Sequence, residues 1–377
     1  MELTSRERIL RIFENREIDR PALKLWGASM DEWLLHPAYK PVWEEAVSHS
    51  DLFEVAGSPF DLFHGCDNVG QVTHEDKDTG HPDWKDRHTN FRTPKGNLHG
   101  IERISLSGEP GYTLEHLVKE PEDLLKVLSI PWEPALFNKS EYEAKAARMG
   151  DRGVVMFGLD HAAYALHRLI GSENLAFFSV DARDLLDETV RVFSQRIRSH
   201  AKAAIEAGLT CPFMWVGPEL FIPPLMSPQD FEDFVHRWDK PLCDDIHNAG
   251  GHVWVHCHGK VADFVERYID MGVDVLNPLE PPKNGDIHLT DIITRFGNRI
   301  GWEGNIEIQD ILLAEPDELM DTIEACVREG KKSGRFILCP SAGYMEYPNP
   351  TEHYIANLLV YLKHGLACCR GKGTAIP

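Results

Sequence analysis

The sequence predicts a (β/α)8 TIM barrel, an α/β fold. Eight short apolar or β-branched runs occur along the chain, and a helical pattern follows most of them. This alternation predicts parallel strands joined by right-handed crossovers. The length of 377 residues fits one domain, because α/β barrels often exceed about 250 residues. We therefore expect residues 1–377 to form a single barrel domain.

The first element is predicted to be an amphipathic helix. The segment TSRE at residues 4–7 has the pattern of a capping box, and Ile9, Leu10 and Phe13 follow at helical spacing. Pro21 lies beyond its end. The predicted strands then cover residues 22–26, 51–55, 153–157, 211–216, 252–255, 273–277, 299–302 and 335–338.

One helix between these strands has a particularly clear pattern. Ser227 is a suitable N-cap, Pro228 suits the first helical position, and the helix should end at residues 248–251. Its apolar stripe consists of Phe231, Phe234, Val235, Trp238, Leu242 and Ile246. Such a stripe predicts packing against the outside of the barrel.

The alternation is interrupted at about residues 65–112. This stretch is rich in glycine, histidine, threonine and charged residues, and it predicts antiparallel β-hairpins inserted after the second strand. We expect this excursion to cover part of the barrel mouth.

Composition excludes several functional classes. The net charge of −21 opposes phosphate backbones and anionic membrane surfaces, so nucleic acid is not an expected partner. No apolar run is long enough to span a bilayer, and the N-terminus lacks a signal-peptide pattern, so a cytoplasmic location is expected. The cysteines lack disulfide-type spacing. Motifs for binding ATP or NAD phosphates are also absent.

In this fold, the catalytic groups lie at the carboxyl ends of the strands. The fifth predicted strand reads HVWVHCHGK and ends with His256, Cys257 and His258. Residues two apart on a strand share a face. We therefore expect His256 and His258 to face the barrel axis and Cys257 to face the helices.

The next three strands bring Glu280, Glu303 and Cys339 to the same mouth. Imidazole, carboxylate and thiolate together form the ligand set that zinc prefers. His256, His258, Glu280 and Cys339 are the predicted ligands. Each has an alternative: a histidine can be an ordinary hydrogen-bonding residue, and Cys339 can be a small buried apolar residue. Glu303 can complete the metal site or bind substrate.

Other residues at predicted strand ends can line a substrate pocket. Trp26 ends the first strand and His161 follows the third. Trp215 lies in the fourth strand, Glu219 follows that strand, and Phe221 begins an apolar FIPP loop. Each of these can equally be a loop or core residue with no role in function.

Several segments together resemble the uroporphyrinogen decarboxylase superfamily over nearly the whole chain. They are TSRERILRIFENREIDRPALKLWG, GPELFIPPLMSPQDFEDFV, HVWVHCHGKVADFV, GVDVLNPLEPPKNGD, WEGNIE and FILCPSAG. The resemblance implies a (β/α)8 barrel. The true decarboxylase binds the carboxylates of its substrate with an arginine-containing segment after the first strand. This chain has WGASMDEW there, without arginine. Decarboxylation is therefore the second choice.

The other large branch contains corrinoid-linked methyltransferases, which bind zinc through H-x-C-G on strand five and a cysteine after strand eight. His256 and Gly259 match this motif, and His258 replaces its cysteine. In the simplest alignment the second cysteine falls nearer Ala342 than Cys339. Cobalamin-independent methionine synthase has a similar zinc site with a glutamate shortly after its strand-five motif, and Glu280 lies at a comparable distance here.

The resemblance implies a zinc-dependent methyltransferase that takes a methyl group from a small donor and transfers it to a cobalt corrinoid (cobalamin). Glu303 or Glu219 would orient the donor. The chain has no D-x-H-x-x-G corrinoid motif, so a partner protein would carry the cobalt. Because His258 replaces a thiolate, the zinc would be a stronger Lewis acid, which favours an aromatic methyl ether as donor. Trp26, Trp215 and the loop from Phe221 would provide apolar walls.

Three alternatives remain open at this point. The chain can transfer methyl from a methylcorrinoid to a thiol or folate, decarboxylate an acid without a metal, or serve as a non-catalytic barrel that binds a partner.

Overall fold

The computed structural model describes residues 2–31, 36–60, 62–63, 71–343 and 349–371. The strands, in chain order, are β1 (Ala22–Leu23), β2 (Leu52–Ala56), β3 (Val72–Asp78), β4 (Trp84–Thr93), β5 (Gly96–Ser105), β6 (Tyr112–Glu115), β7 (Gly153–Gly158), β8 (Pro212–Val216), β9 (His252–His256), β10 (Val275–Leu279), β11 (Gly301–Ile306) and β12 (Phe336–Pro340).

The α-helices are α1 (Ser5–Phe13), α2 (Lys40–His49), α3 (Pro121–Leu128), α4 (Ser140–Met149), α5 (Ala162–Ile170), α6 (Ser172–Asp181), α7 (Arg183–Glu206), α8 (Pro228–Phe231), α9 (Arg237–Asn248), α10 (Val265–Met271), α11 (Leu289–Phe296), α12 (Ile308–Leu313), α13 (Pro316–Gly330) and α14 (Glu352–Cys369). Short 3-10 turns occupy Pro37–Tyr39, Gly150–Arg152, Pro218–Phe221, Ala262–Phe264 and Lys331–Ser333, and a π-helical turn, Glu232–His236, joins α8 to α9.

Eight parallel strands form one curled sheet in the order β1-β12-β11-β10-β9-β8-β7-β2. The two edge strands meet where the Asp51 N–H donates to the Leu23 carbonyl at 2.8 Å. This contact, which we call the seam, closes the sheet into a ring. The TIM barrel predicted from the sequence is thereby confirmed. All eight predicted strands are found, each displaced by no more than a few residues at its ends.

Side chains cross the seam as well as the backbone. Asp51 is fully buried, and its carboxylate accepts hydrogen bonds from Arg8 at 2.6 Å, Arg20 at 2.8 Å and the Leu23 N–H at 2.8 Å. One carboxylate therefore joins α1, the approach to β1 and the start of β2.

The barrel has an inner and an outer apolar layer. Inside, Ile9, Ile12 and Phe13 of α1 pack against inward-facing strand residues, including Trp254 and Ile337. The outer layer lies between the strands and the surrounding helices, and it contains most of the buried apolar residues. Helix α1 therefore fills the barrel interior from one end, as the apolar spacing of its sequence requires.

The two helices predicted in detail are present. Thr4 and Glu7 form both hydrogen bonds of the capping box that opens α1. Ser227 caps α8 in a second capping box with Asp230, and the helical path continues to Asn248 through the π-helical turn. Most of the predicted stripe is buried, whereas Trp238 is only partly buried.

The predicted β-excursion forms a four-stranded antiparallel sheet, in the order β3-β4-β5-β6. It begins at Val72 and extends to Glu115, while residues 64–70 at its predicted start lie outside the described residues. Phe91 and Leu98 anchor the sheet in the outer apolar layer. Its covering of the barrel mouth remains a prediction, as does the assignment of the whole chain to one domain. The described residues include no helix with the length and apolar composition that crossing a membrane requires.

Candidate functional site

Strand β9 ends in the residues on which the predicted metal site depends. Alternation along the strand places Trp254 and His256 on the inner side, while Cys257 belongs to the outer apolar layer. The rings of His256 and His258 are perpendicular, with centroids 4.4 Å apart. The structure therefore brings the two imidazoles together.

His256 is held by Asn277 of β10. Its Nδ1 lies 2.6 Å from Asn277 Oδ1, while the Asn277 amide nitrogen donates to Glu303 at 2.8 Å. An amide oxygen can only accept, so Nδ1 carries the proton and Nε2 keeps its lone pair. Burial, together with the nearby charge of His258, lowers the pKa of His256 to about 3. The ring is therefore neutral at ordinary pH.

His258 is held by Glu280, which follows β10. Its Nδ1 lies 2.8 Å from one oxygen of Glu280, and the Gly259 N–H donates to the other oxygen at 2.6 Å. Burial opposes the charged form of His258, but the hydrogen bond from this ring and the carboxylate charges around it raise its pKa. Those charges belong to Glu280, Glu219 and Glu307.

Two of these glutamates have a buried oxygen without a partner. Glu219 Oε2 and Glu307 Oε1 accept no hydrogen bond from the described residues. The other oxygen of Glu307 accepts from Asn284 and Ser341, each at 3.1 Å. Burial raises the pKa of both carboxyls, and the charge of Glu280 adds to the effect at Glu307. An unpaired buried oxygen is costly, so these two atoms are suited to a cation or a donor group.

Glu303 lies deeper in the barrel and is fully buried. Its carboxylate accepts hydrogen bonds from Lys24 at 2.6 Å, Trp254 at 2.8 Å and Asn277 at 2.8 Å. Both oxygens are thus used by the protein. Glu303 fixes the orientation of Asn277, and through it that of His256.

Cys339 is fully buried in the same network, with its sulfur 3.9 Å from the Asn277 amide nitrogen. Burial and the charge of Glu303 hold the pKa of this thiol well above its usual range. The structure thus places Cys339 next to the residues that hold His256. Its role as a zinc ligand remains a prediction.

His161 and Trp215 share one buried partner, Asp239 of α9. His161 Nε2 lies 3.1 Å from the Asp239 carboxylate, and the Trp215 indole donates to the same oxygen at 3.1 Å. The other nitrogen of His161 accepts from the Ala163 N–H and caps α5. Both polar groups are therefore used to join β8, α5 and α9.

The other two residues predicted to bind substrate differ in exposure. Phe221 is fully buried, and its ring packs against Phe234 at 5.0 Å. Trp26 is half-buried, its indole donates to the Pro340 carbonyl at 3.1 Å, and its edge meets the His256 ring at 5.4 Å. Of the four residues, Trp26 is therefore the one in contact with the histidine pair.

The mouth contains side chains of the types that bind divalent cations. Each imidazole has its Nδ1 held by an acceptor, which is how ligand histidines are commonly oriented, and three carboxylates act on His258. The four predicted ligands do not form a compact group. Among the described residues, the three side chains whose ligand atoms all lie within 4.8 Å of one another are Glu324, His364 and Cys368, on α13 and α14.

A model of the family described as uroporphyrinogen decarboxylase (URO-D) matches residues 143–355. The chain belongs to this family. The matched span contains the histidine pair, the three glutamates around it and Cys339, whereas Lys24 and Trp26 precede it. The resemblance predicted from the sequence segments is confirmed.

Comparison with curated proteins gave no match. Among solved structures, a methyltransferase from Methanosarcina mazei is similar over 96% of this chain and 98% of its own, with a TM-score of 0.57 and 16% identity. That likeness shows the fold. An L-ribulose 3-epimerase matches 68% of this chain and 92% of its own, at a TM-score of 0.40 and 12% identity.

Some residues of this candidate site were not predicted from the sequence. Lys24 and Asn277 are polar residues within apolar strand segments, and that mismatch was an available signal. Glu307 follows β11 by one residue, at the same level as the predicted mouth residues. Asp239 lies on a helix, where sequence spacing alone gives no indication of its buried partners.

Proposed function

We propose that this chain is a zinc-dependent methyltransferase that transfers a methyl group from a small donor to a cobalt corrinoid carried by a partner protein. The observation that carries the proposal is the His256–His258 pair, surrounded by Glu219, Glu280 and Glu307 at the carboxyl ends of the barrel strands. Membership of the URO-D family and a fold like that of the Methanosarcina mazei methyltransferase support it.

His256 and His258 would hold the zinc, together with Glu280. The partnerless oxygens of Glu219 and Glu307 lie in the same acidic surroundings and can complete the ligand set. Zinc bound there would act as a Lewis acid on an oxygen atom of the donor. Cys339 stays in the proposal as a possible thiolate ligand.

An aromatic methyl ether is the proposed donor. In the reaction, the bond between the ether oxygen and the methyl carbon breaks, and its electron pair stays on the phenolate oxygen. The partner's corrinoid enters as a substrate in the Co(I) state, and it provides the electron pair of the new cobalt–carbon bond. Atoms and charge therefore balance without a further oxidant or reductant.

The chain's own residues bind and orient the donor. Trp26 contacts the histidine pair and presents a half-buried apolar surface suited to an aromatic ring. Trp215 and Phe221 are kept as proposed apolar residues of the pocket, and both are buried. Glu219 would orient the donor by giving it a hydrogen bond from its protonated carboxyl, the form that burial favours by raising its pKa. Glu303 would act as a positioning residue through Asn277.

Decarboxylation of a porphyrinogen is disfavoured by charge. A substrate with many carboxylates would meet Glu219, Glu280 and Glu307 at the mouth. The segment WGASMDEW after β1 contains no arginine to clamp it.

The test mixes the purified protein with zinc, a reduced corrinoid protein or reduced cobalamin, and a panel of methoxylated aromatics. Formation of the methyl–cobalt bond is followed optically. We expect it with at least one ether, and we expect the His256→Ala, His258→Ala double variant to be inactive. His247→Ala removes an imidazole that bonds Asp274 at 2.9 Å away from the site, so this control should keep full activity.

The opposite direction is measured in the same assay. If no ether methylates the corrinoid but methylcobalamin loses its methyl group to a thiol or folate, the proposed donor is wrong and the chain works in the acceptor direction. If neither reaction occurs, but carbon dioxide is released from an acid without zinc, or the chain only binds a corrinoid protein, the methyltransferase proposal fails.

A further inference from the structure

A second group of metal-ligating side chains lies outside the barrel, where α13 packs against α14. Glu324 lies on α13, and His364 and Cys368 lie one helical turn apart on α14. Their ligand atoms are all within 4.8 Å of one another. Glu324 Oε1 and His364 Nε2 are 3.1 Å apart.

The imidazole of His364 supplies a separate indication. The residue is 5% exposed, and its Nε2 is buried without a hydrogen bond from or to the described residues, despite its short distance to Glu324. The geometry between the two atoms is therefore not that of a hydrogen bond. A buried polar nitrogen usually has a partner, and a cation placed among Glu324, His364 and Cys368 would provide one.

We propose that Glu324, His364 and Cys368 form a zinc site that joins α13 to α14, separate from the catalytic site. One carboxylate oxygen, one imidazole nitrogen and one thiolate are ligands that zinc accepts, and a water molecule would complete the tetrahedron. Binding converts the Cys368 thiol to a thiolate, and the proton is released to solvent.

Zinc bound at this site would link two outer helices. Helix α14 packs against the barrel strands: the Tyr361 hydroxyl lies 2.6 Å from the carbonyl of Lys24, which follows β1, and 3.1 Å from the carbonyl of Leu338 in β12. Zinc that binds the folded but not the unfolded chain stabilises the folded state in proportion to the logarithm of its concentration over Kd. We therefore expect zinc to raise the Tm through this site, whatever happens at the barrel mouth.

The experiment titrates metal-free protein with zinc and, in parallel, with Co(II), whose spectrum contains an absorption band when a thiolate is bound. The variants are Cys368→Ser and Glu324→Gln, with Cys369→Ser as the matched control. Cys339→Ser is included because Cys339 is the other thiol proposed near a metal. All are compared in the His256→Ala, His258→Ala background and in the otherwise unchanged chain.

We expect Cys368→Ser to lose about one zinc per chain and a thiolate band, and Glu324→Gln to bind zinc at least about tenfold more weakly. Cys369→Ser and Cys339→Ser should keep this zinc, and so should the double histidine variant. The site is refuted if Cys368→Ser binds as much zinc as the unchanged chain, or if zinc at micromolar concentration leaves the Tm of the double histidine variant unchanged. Loss of zinc only in the double histidine variant would refute the zinc site between α13 and α14 while leaving the proposed catalytic site intact.

Discussion

At the scale of single residues, Asn277 connects the candidate site to the barrel interior. Its amide oxygen holds His256 and its amide nitrogen donates to Glu303, which is also bonded to Lys24. A substitution at Asn277 therefore disturbs His256, a proposed ligand, without removing any proposed ligand. Substitution of a residue that orients a metal ligand through a hydrogen bond commonly lowers metal affinity by about 10–100-fold.

We predict that Asn277→Ala weakens zinc binding at the barrel mouth by about 10–100-fold, because His256 loses the acceptor that orients it. The measurement is a zinc competition titration in a Cys368→Ser background, so that one site is observed. Asn298→Ala serves as the control, since its amide bonds Asn15. Equal zinc affinity in the Asn277 and Asn298 variants would contradict the orienting role.

We predict that Cys257→Ala retains zinc and lowers the free energy of unfolding by about 1 kcal/mol, because Cys257 is a buried residue of the outer layer. Cys339→Ala should weaken zinc binding, since its sulfur lies beside Asn277. Zinc content and urea unfolding of both variants check this. The reverse result, with zinc lost only from Cys257→Ala, would remove Cys339 from the site.

Sequence reasoning found the residues at strand ends but missed Asn277, which holds His256. His256 and His258 were predictable because strand alternation fixes their common face, and Glu280 and Glu219 were predicted as well. Asn277 was not, since it meets His256 only after neighbouring strands have assembled side by side. For the same reason, spacing could not indicate that Glu303 is bonded to Lys24 and closed off from solvent.

At the scale of elements, the aromatic contact between α7 and the barrel contains a buried histidine. The ring of His200 stacks on Phe60 at a centroid distance of 4.4 Å and lies 5.6 Å from Phe157 of β7. Burial lowers the pKa of His200 to about 4. The packing of helix α7 therefore favours the neutral ring.

We predict that His200→Phe reduces the loss of stability on acidification. In the unfolded chain the histidine pKa is about 6.5, so the folded state binds fewer protons between that pH and 4. The neutral ring makes its full contribution to the free energy of unfolding above about pH 6.5. This contribution declines by about 3 kcal/mol in all as the pH falls towards 4.

The check is urea unfolding of both chains from pH 7 to pH 4.5, with His74→Gln, an exposed histidine of β3, as the control. The free energy of unfolding should fall more steeply with decreasing pH in the unchanged chain and in the control than in His200→Phe. Parallel slopes for all three proteins would show that His200 is already accessible to protons in the folded state.

Element boundaries show where local sequence is sufficient and where it is not. The helices α1 and α8 begin at the predicted caps because their capping residues act within one turn. Strand β1 is shorter than predicted and ends at Leu23, because pairing with β12 extends over two residues. The length of β1 therefore depends on β12, which is far away in sequence. A local sequence pattern contains no information about that pairing.

At the scale of the whole molecule, the ring of strands depends on the seam. Within the described residues, one backbone hydrogen bond joins β1 to β2 there, and the buried Asp51 carboxylate adds bonds to Arg8 and Arg20. A buried charge that loses its partner is far more costly than an exposed one.

We predict that Asp51→Asn lowers the free energy of unfolding by about 3–5 kcal/mol, because it leaves the buried Arg20 guanidinium without a carboxylate and Arg8 with Asp19 alone. Asp19→Asn, which removes a more exposed partner of Arg8, should cost clearly less. Urea unfolding measures both. Similar losses in the two variants would indicate that the seam does not depend on this charge.

The pairing of β1 with β12 also determines the order of assembly. Ala22 pairs with Ile337, so two strands separated by almost the whole described sequence must meet before the ring exists. Contacts of such long separation form slowly. During synthesis, the first strand has no permanent neighbour on that side until the ribosome has released the twelfth. Until then, the apolar face of the N-terminal helix, which fills the barrel in the folded protein, stays exposed to solvent. Chaperone contact is therefore expected at this segment before any other.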